Sequence, residues 1–338
     1  MTTETLIATE QQFNHVLAFE VSKAKLHVHI LPGGETSEVT NDRAIIRKLI
    51  KKEIKRNAKL GVGPLLVVCE ATGTYSNDII ACTAEFGVAC HRAHGSRVRA
   101  FAKFRGTHAK SDPIDVRLIA DYATASRNLE LHRPPRPAQA ELRELVGRRT
   151  ELRQALEAEQ ARVEHVASKL VVASLRGHIR VLEKLVAEID RRIETLMRED
   201  EEFHRKGSLM RSVKSVGPVT AATVLAYLPE IGTVSRGTIA ALAGLAPYDR
   251  DSGEGKGQRH ISGGRAEARS GLYMAARNAM TWNEHLAALA RRVEAKGKPF
   301  KVQVTAVMRK LLVILNAVVA SGVPCRTETA GRVRIAAA

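Results

Sequence analysis

Four carboxylates in this 338-residue chain stand where acids can do chemistry together. Glu20 closes the apolar run VLAFE (16–20), and Glu70 closes a second one, LLVVCE (65–70). Asp112 and Asp115 follow in KSDPID (110–115), ahead of a helix-like VRLIA. Pro113 suits a first helical turn and Asp112 its cap, and an i, i+3 spacing sets both aspartates on one helix face. A carboxylate at the end of a buried strand is costly unless it is paired or bound to metal. Two such strand ends and an acidic helix start, brought together, repel one another and call for divalent cations. Hard oxygen donors favour Mg2+ or Mn2+, and two ions about 4 Å apart can activate a nucleophile and stabilise the leaving oxygen at a phosphodiester. Each acid alone is equally well a cap or a surface charge; the metal reading comes from four in these settings.

The surroundings of the acids are basic. The net charge is +17 and the pI about 10.0, which points to a polyanionic partner held by salt-sensitive attraction. Aromatic residues make up only 4% of the chain, so base stacking is not expected to dominate binding. Residues 91–110 hold Arg92, Arg97, Arg99, Lys103, Arg105 and Lys110 and no acid, either a phosphate-guiding surface beside the acids or a solvated helix face. Residues 201–338 carry 21 Lys/Arg against 10 Asp/Glu, most of the surplus. Cys69, Cys82, Cys90 and Cys325 form no CxxC pair and have no histidine at zinc spacing, which argues against structural zinc and a disulfide framework. No run of about 18 apolar residues and no signal-peptide pattern is seen. Leu311 to Val319 reads as a buried helix, and the chain as cytoplasmic, without a membrane partner.

The elements that must position the acids can be read from periodicity. Short apolar runs at 15–20, 26–31, 65–70 and 88–91 are separated by turn signals such as Pro32-Gly33-Gly34 and Gly61-Val62-Gly63-Pro64. Asp42 to Asn57 predicts an amphipathic helix with Ile45, Ile46, Leu49, Ile50 and Ile54 on one face, and another helix is expected from about Ser76. This is an α/β pattern, a sheet with helices against it, over residues 13–130.

After Pro134, Pro135 and Pro137 no proline occurs until Pro218. Leu182, Leu185, Val186, Ile189, Ile193 and Leu196 keep a helical stripe, so residues 138–202 predict an antiparallel helical hairpin or coiled-coil arm, its turn near Gly177. Residues 203–330 predict a mainly helical domain, giving an α/β plus α chain. Within it, VKSVGPVTAA (213–222) fits either a helix–hairpin–helix that offers backbone N–H groups to phosphate or a plain helical turn. The glycine-rich GEGKG (253–257) lacks the spacing and the preceding strand of a nucleotide-binding loop.

FEVSK (19–23), VVCEATGTY (67–75), KSDPIDVRLIADY (110–122), ALAGLAPYDRDSG (241–253) and the Gly/Arg-rich stretch 255–269 together resemble the DEDD transposases of bacterial insertion sequences, the Piv-invertase-related, bridge-RNA-guided recombinases. The resemblance runs in order over nearly the whole chain. It implies a RuvC-like (RNase H-like) first domain, a coiled-coil arm and a C-terminal transposase domain. It assigns Glu20, Glu70, Asp112 and Asp115 to the metal positions and Ser252 to a nucleophile that forms a phosphoserine link with DNA. It also implies donor and target DNA, a guide RNA, and an active site shared between protomers of a homo-oligomer. Lys256, Arg259 and Arg265 then become candidate nucleic-acid contacts, as do Arg97, Arg99, Lys103, Arg105 and Lys110. By sequence context alone, Ser252 is equally a turn residue in a charged loop. The chain departs from the family at the first acidic position, normally aspartate: Glu20 reaches one methylene further. A RuvC-like nuclease using water, and a non-catalytic nucleic-acid scaffold, are the alternative functions.

Overall fold

The computed structural model describes residues 13–107, 111–126, 129–132, 134–248 and 260–325. Two compact units meet in sequence between Pro135 and Arg136. The first contains, in order, β1 (His15–Val21), β2 (Lys25–Leu31), β3 (Glu35–Thr40), α1 (Arg43–Leu60), β4 (Leu65–Glu70), α2 (Asn77–Glu85), β5 (Ala89–Ala93), α3 (Gly95–Phe104) and α4 (Asp112–Ala125). The sheet order is β3-β2-β1-β4-β5. β1, β2 and β3 form an antiparallel meander, and β4 and β5 add to it parallel to β1.

Side chains alternate along a strand, and that alternation sorts the two faces. Leu17, Phe19 and Val21 of β1 and Leu65, Val67 and Cys69 of β4 pack with Ile46 and Ile50 of α1 and Ile79 and Cys82 of α2. Val16 and Ala18, with Leu66 and Val68, face the other way, onto Val98 of α3 and Val116, Ile119 and Ala120 of α4. The same alternation assigns Glu20 and Glu70 to the face covered by α3 and α4.

α1 forms where expected but runs three residues past Asn57, to Leu60. Asp42 caps it by accepting from the N–H groups of Ala44 and Ile45, and Gly61 closes it in the left-handed conformation. The helix also buries Glu53, which periodicity alone did not single out. The Glu53 carboxylate is fully buried 3.0 Å from His15 Nε2, while His15 Nδ1 lies 2.8 Å from Asn57 Oδ1. β3 was not anticipated: its ETSEVT sequence is polar and largely exposed, as an edge strand can be without an apolar face. Cys69, Cys82 and Cys90 are buried and, like half-buried Cys325, free thiols.

The second unit begins with two long helices, α5 (Pro137–Val163) and α6 (Lys169–Glu199). Their connection lies at 164–168, not near Gly177, which sits within α6. One interior glycine costs a helix only about 1 kcal/mol, too little to break so strong a periodicity. There follow α7 (Glu201–Arg211), α8 (Pro218–Tyr227), α9 (Arg236–Leu242), the short pair β6 (Pro247–Tyr248) and β7 (His260–Ile261), α10 (Ala266–Trp282), α11 (Glu284–Glu294) and α12 (Phe300–Ser321). Asp200 ends α6 and caps α7 through the Phe203 N–H.

The base of the α5/α6 hairpin, with Leu142, Val146, Ile193 and Leu196, belongs to the same core as α8, α10 and α12. Its distal part rests on its own four buried residues, Leu152, Leu156, Leu182 and Val186. The apolar stretch 311–319 is helical and buried as expected. The helix that carries it, α12, is longer, and by length and composition it could cross a membrane; half of that stretch is buried within the unit. The segment 213–222 makes the turn that follows α7 and opens α8.

Candidate metal centre

β1 and β4 run parallel and in step, so the paired residues Phe19 and Cys69 are followed by Glu20 and Glu70 at the carboxyl ends of adjacent strands. On the other side, β2 sets His27 opposite Glu20, and β3 sets Glu38 opposite His27. Glu38, His27, Glu20 and Glu70 thus form a row across one level of the sheet. Asp112 reaches this row from the first turn of α4, which packs on β1 and β2. Ser111 is the N-cap, not Asp112: the Ser111 carbonyl accepts the first helical bond, from Asp115 N at 2.8 Å. Asp112 is therefore the first helical residue, followed by Pro113.

Glu20, His27 and Asp112 each offer one ligand atom within 4.8 Å of the other two. His27 Nδ1 lies 3.4 Å from Glu20 Oε2 and 3.7 Å from Asp112 Oδ2. The side chains of Glu20 and His27 are 19% and 14% exposed and that of Asp112 64%, so the cluster opens to solvent on the α4 side. Burial pushes the Glu20 carboxyl above its ordinary value. The hydrogen bond from His27 opposes this, and the neighbouring charges of Asp112 and Glu70 add to it. Among the described residues, no lysine or arginine forms an ion pair with Glu20 or Asp112. Two carboxylates and an imidazole left without a fixed cation are a donor set that fits a divalent ion.

Glu70 is held at the start of α3. A Cβ on Gly95 would fall 2.3 Å from Glu70 Oε1, so the missing side chain lets the carboxylate lie against the first turn of that helix, where the helix dipole favours an anion. Asp115 lies one turn further along α4 and is half-buried. The structure therefore brings Glu20 and Asp112 to a common point and Glu70 into electrostatic reach of Glu20, with Asp115 on the next turn of the same helix.

Arg97, Arg99 and Lys103 are exposed on α3, and Arg105 follows at its C-cap. Arg105 pairs with Asp121 at 3.3 Å and lies over the Phe101 ring. Lys110 lies outside the described residues, as do Ser252, Lys256 and Arg259. The two flanks of that second segment are joined by the pairing of β6 with β7. Just behind the pair, Gly244 and Gly264, both at positive φ, touch backbone to backbone; a Cβ on Gly264 would fall 2.1 Å from Gly244 N. Arg265 is committed beside them. Its guanidinium donates to both Glu230 oxygens at 2.6 Å and to the Tyr227 carbonyl at 2.8 Å.

Sequence reasoning passed over His27, Glu38 and Gly95. The signal for His27 lay in LHVHIL, where strand alternation sets the histidines on the face opposite Leu26, Val28 and Ile30. Its partnership with Glu20 needed the register of the hairpin.

Comparison with known proteins identifies the family. A transposase family model of the DEDD, IS110 type matches residues 20–172, opening on Glu20 itself. The model of the transposase IS116/IS110/IS902 family matches residues 207–291. The chain is similar to the pilin gene-inverting protein of Moraxella bovis, 29% identical over 269 residues, covering 77% of this chain and 81% of that protein. The pilin gene-inverting protein of Moraxella lacunata is 28% identical with the same coverage. A mixed sheet carrying an acidic cluster and a basic helical unit belong to a DNA recombinase of the transposase class. The chain belongs to the IS110-type transposases that these two models together describe, proteins that act on DNA.

Proposed function

We propose that this transposase exchanges DNA strands for an insertion sequence through a metal-assisted serine nucleophile, guided by a bridge RNA. The observation that carries the reading is the convergence of Glu20 and Asp112, from distant segments, with the Glu70 charge beside them. We read the first unit as RNase H-like (RuvC-like). Its support is an antiparallel meander extended by two parallel strands, with acids at the ends of β1 and β4.

Glu20, Glu70, Asp112 and Asp115 are the residues that would hold Mg2+ (or Mn2+). When bound, such an ion polarises a phosphodiester and makes a hydroxyl a better nucleophile at neutral pH. The exposed Arg97, Arg99 and Lys103, with Arg105 and Lys110 nearby in sequence, would guide the DNA or RNA backbone. Lys256 and Arg259 would do the same beside Ser252, while Arg265 braces the base of that segment. Ser252 Oγ attacks phosphorus and gives up its proton to a base. The phosphodiester P–O bond breaks, a DNA hydroxyl leaves, and attack by another strand end on the phosphoserine rejoins the DNA. The catalytic halves would come from different protomers of a homo-oligomer that acts on the nucleoid in the cytoplasm. Val181 and Leu185, one turn apart and exposed on α6, support an arm that pairs protomers as a coiled coil.

The test is Ser252→Ala in the full chain with its guide RNA and DNA. A covalent protein–DNA adduct should form with the parent protein and be lost, with recombination, in the variant. Unchanged cleavage by the variant would favour a hydrolytic nuclease that uses water at the same carboxylates. Absence of any metal-dependent cleavage would leave a nucleic-acid scaffold.

A further inference from the structure

His27 stands at the centre of the row, and both of its nitrogens face carboxylates. Nε2 lies 3.3 Å from Glu38 Oε2, and the other Glu38 oxygen is 2.6 Å from Lys25 Nζ. Nδ1 faces Glu20 Oε2 and Asp112 Oδ2. A neutral imidazole has one N–H and one lone pair. Nδ1 stands 3.4 Å from Glu20, a long hydrogen bond in the ion-free fold; with the N–H turned to Glu38, the Nδ1 lone pair would face two anionic groups, an arrangement that a cation between them stabilises. The separations from Nδ1 are 3.4 and 3.7 Å. Ligand atoms about 2.1 Å from a shared ion lie roughly 3–3.6 Å apart when they subtend right to tetrahedral or trigonal angles.

We infer that His27 Nδ1 is a ligand of the divalent-ion site, alongside Glu20 and Asp112, and that Glu38, itself tied to Lys25, orients the ring from behind. The arrangement is the carboxylate–histidine–metal relay by which an outer carboxylate fixes a ligand's tautomer and raises its basicity. A nitrogen donor also biases the site: imidazole suits later divalent ions better than Mg2+, which keeps to oxygen. The site should therefore prefer Mn2+ to Mg2+. The inference rests on the reading of Glu20 and Asp112 as metal-holding residues.

Mn2+ binding to the full chain, free of nucleic acid, tests it. Continuous-wave EPR measures free Mn2+, and pulsed EPR detects nitrogen coupled to the bound ion. Wild-type protein should show imidazole nitrogen modulation, and Mg2+ should displace Mn2+ only at roughly tenfold or greater excess. His27→Gln should lose the modulation and weaken binding at least about tenfold; Glu38→Gln should keep the modulation and weaken binding by about tenfold. Bound Mn2+ without nitrogen coupling in the wild type, or coupling that persists in His27→Gln, overturns the role of His27 while leaving the carboxylate site standing. No Mn2+ binding by the wild type, or binding that Asp112→Asn leaves unchanged, removes the carboxylate site and the inference with it. The wild-type spectrum decides the matter even if a variant fails to fold.

Discussion

Two charge clusters in this molecule are built on opposite principles. Around Arg265, both oxygens of Glu230 receive a guanidinium N–H, and a backbone carbonyl takes a third. Around Glu20, carboxylates face carboxylates, with an imidazole between them and, among the described residues, no lysine or arginine in an ion pair with Glu20 or Asp112. The first arrangement is complete within the fold and contributes to its stability. The second, on the proposed reading, would be satisfied by a bound cation, and its cost to the fold is then the cost of a site. An acid's neighbours, more than its own type, separate a brace from a site.

The sharpest way to break that contrast is to neutralise one acid of the site. Glu70→Gln should abolish recombination, a loss of at least about a hundredfold, while leaving nucleic-acid binding intact. Because the change removes like-charge repulsion, its melting temperature should equal or exceed that of the parent. A parallel recombination assay and thermal melt check both halves; an active variant would remove Glu70 from the site. Arg265→Ala should do the reverse. It strands Glu230 and a carbonyl and should lower stability by about 1–2 kcal/mol, discounted for partial exposure, as read from denaturant unfolding, without weakening Mn2+ binding.

A smaller effect is expected on α3, where Arg97 and Arg99 are exposed and, among the described residues, form no ion pair with a carboxylate. Arg97→Ala with Arg99→Ala should flatten the salt dependence of nucleic-acid affinity by about one unit of slope per lost phosphate contact. An unchanged slope would return this helix to an ordinary solvated face. The smallest effect is on pH. Burial alone would raise the Glu230 carboxyl, but hydrogen bonding to Arg265 and the guanidinium charge together hold it below its usual 4.5. A depressed carboxyl stabilises the fold fully above its unfolded value and loses that contribution as pH falls through the folded one. The stability gap between wild type and Glu230→Gln should therefore be constant above about pH 5 and narrow below 4.5, measured by guanidinium unfolding across that range.

How much of this could be read from the chain alone follows from the range of each interaction. β1, β2, β4 and β5 were legible as short apolar runs between turn signals, and α1 because burial on one face leaves a helical period. β3 was not, since an edge strand with polar alternation resembles a loop. The four acids stood out because they ended apolar runs or opened a helix. Their proximity, and the presence of His27 and Glu38 among them, depends on strand register, which no local pattern encodes. Arg265 looked like any cation in a basic stretch. Only the packing of Gly244 against Gly264 and the nearness of Glu230 reveal its task.

The row across the sheet has a consequence for assembly. Glu38, His27, Glu20 and Glu70 come from four different strands and meet at one level. A slip of β2 by a single residue would turn His27 toward α1 and offer Leu26 or Val28 in its stead, since neighbouring side chains point to opposite faces. If the proposed centre is the one that cuts DNA, chemical competence and correct strand alignment are one event: a molecule that has paired its strands wrongly would lack it.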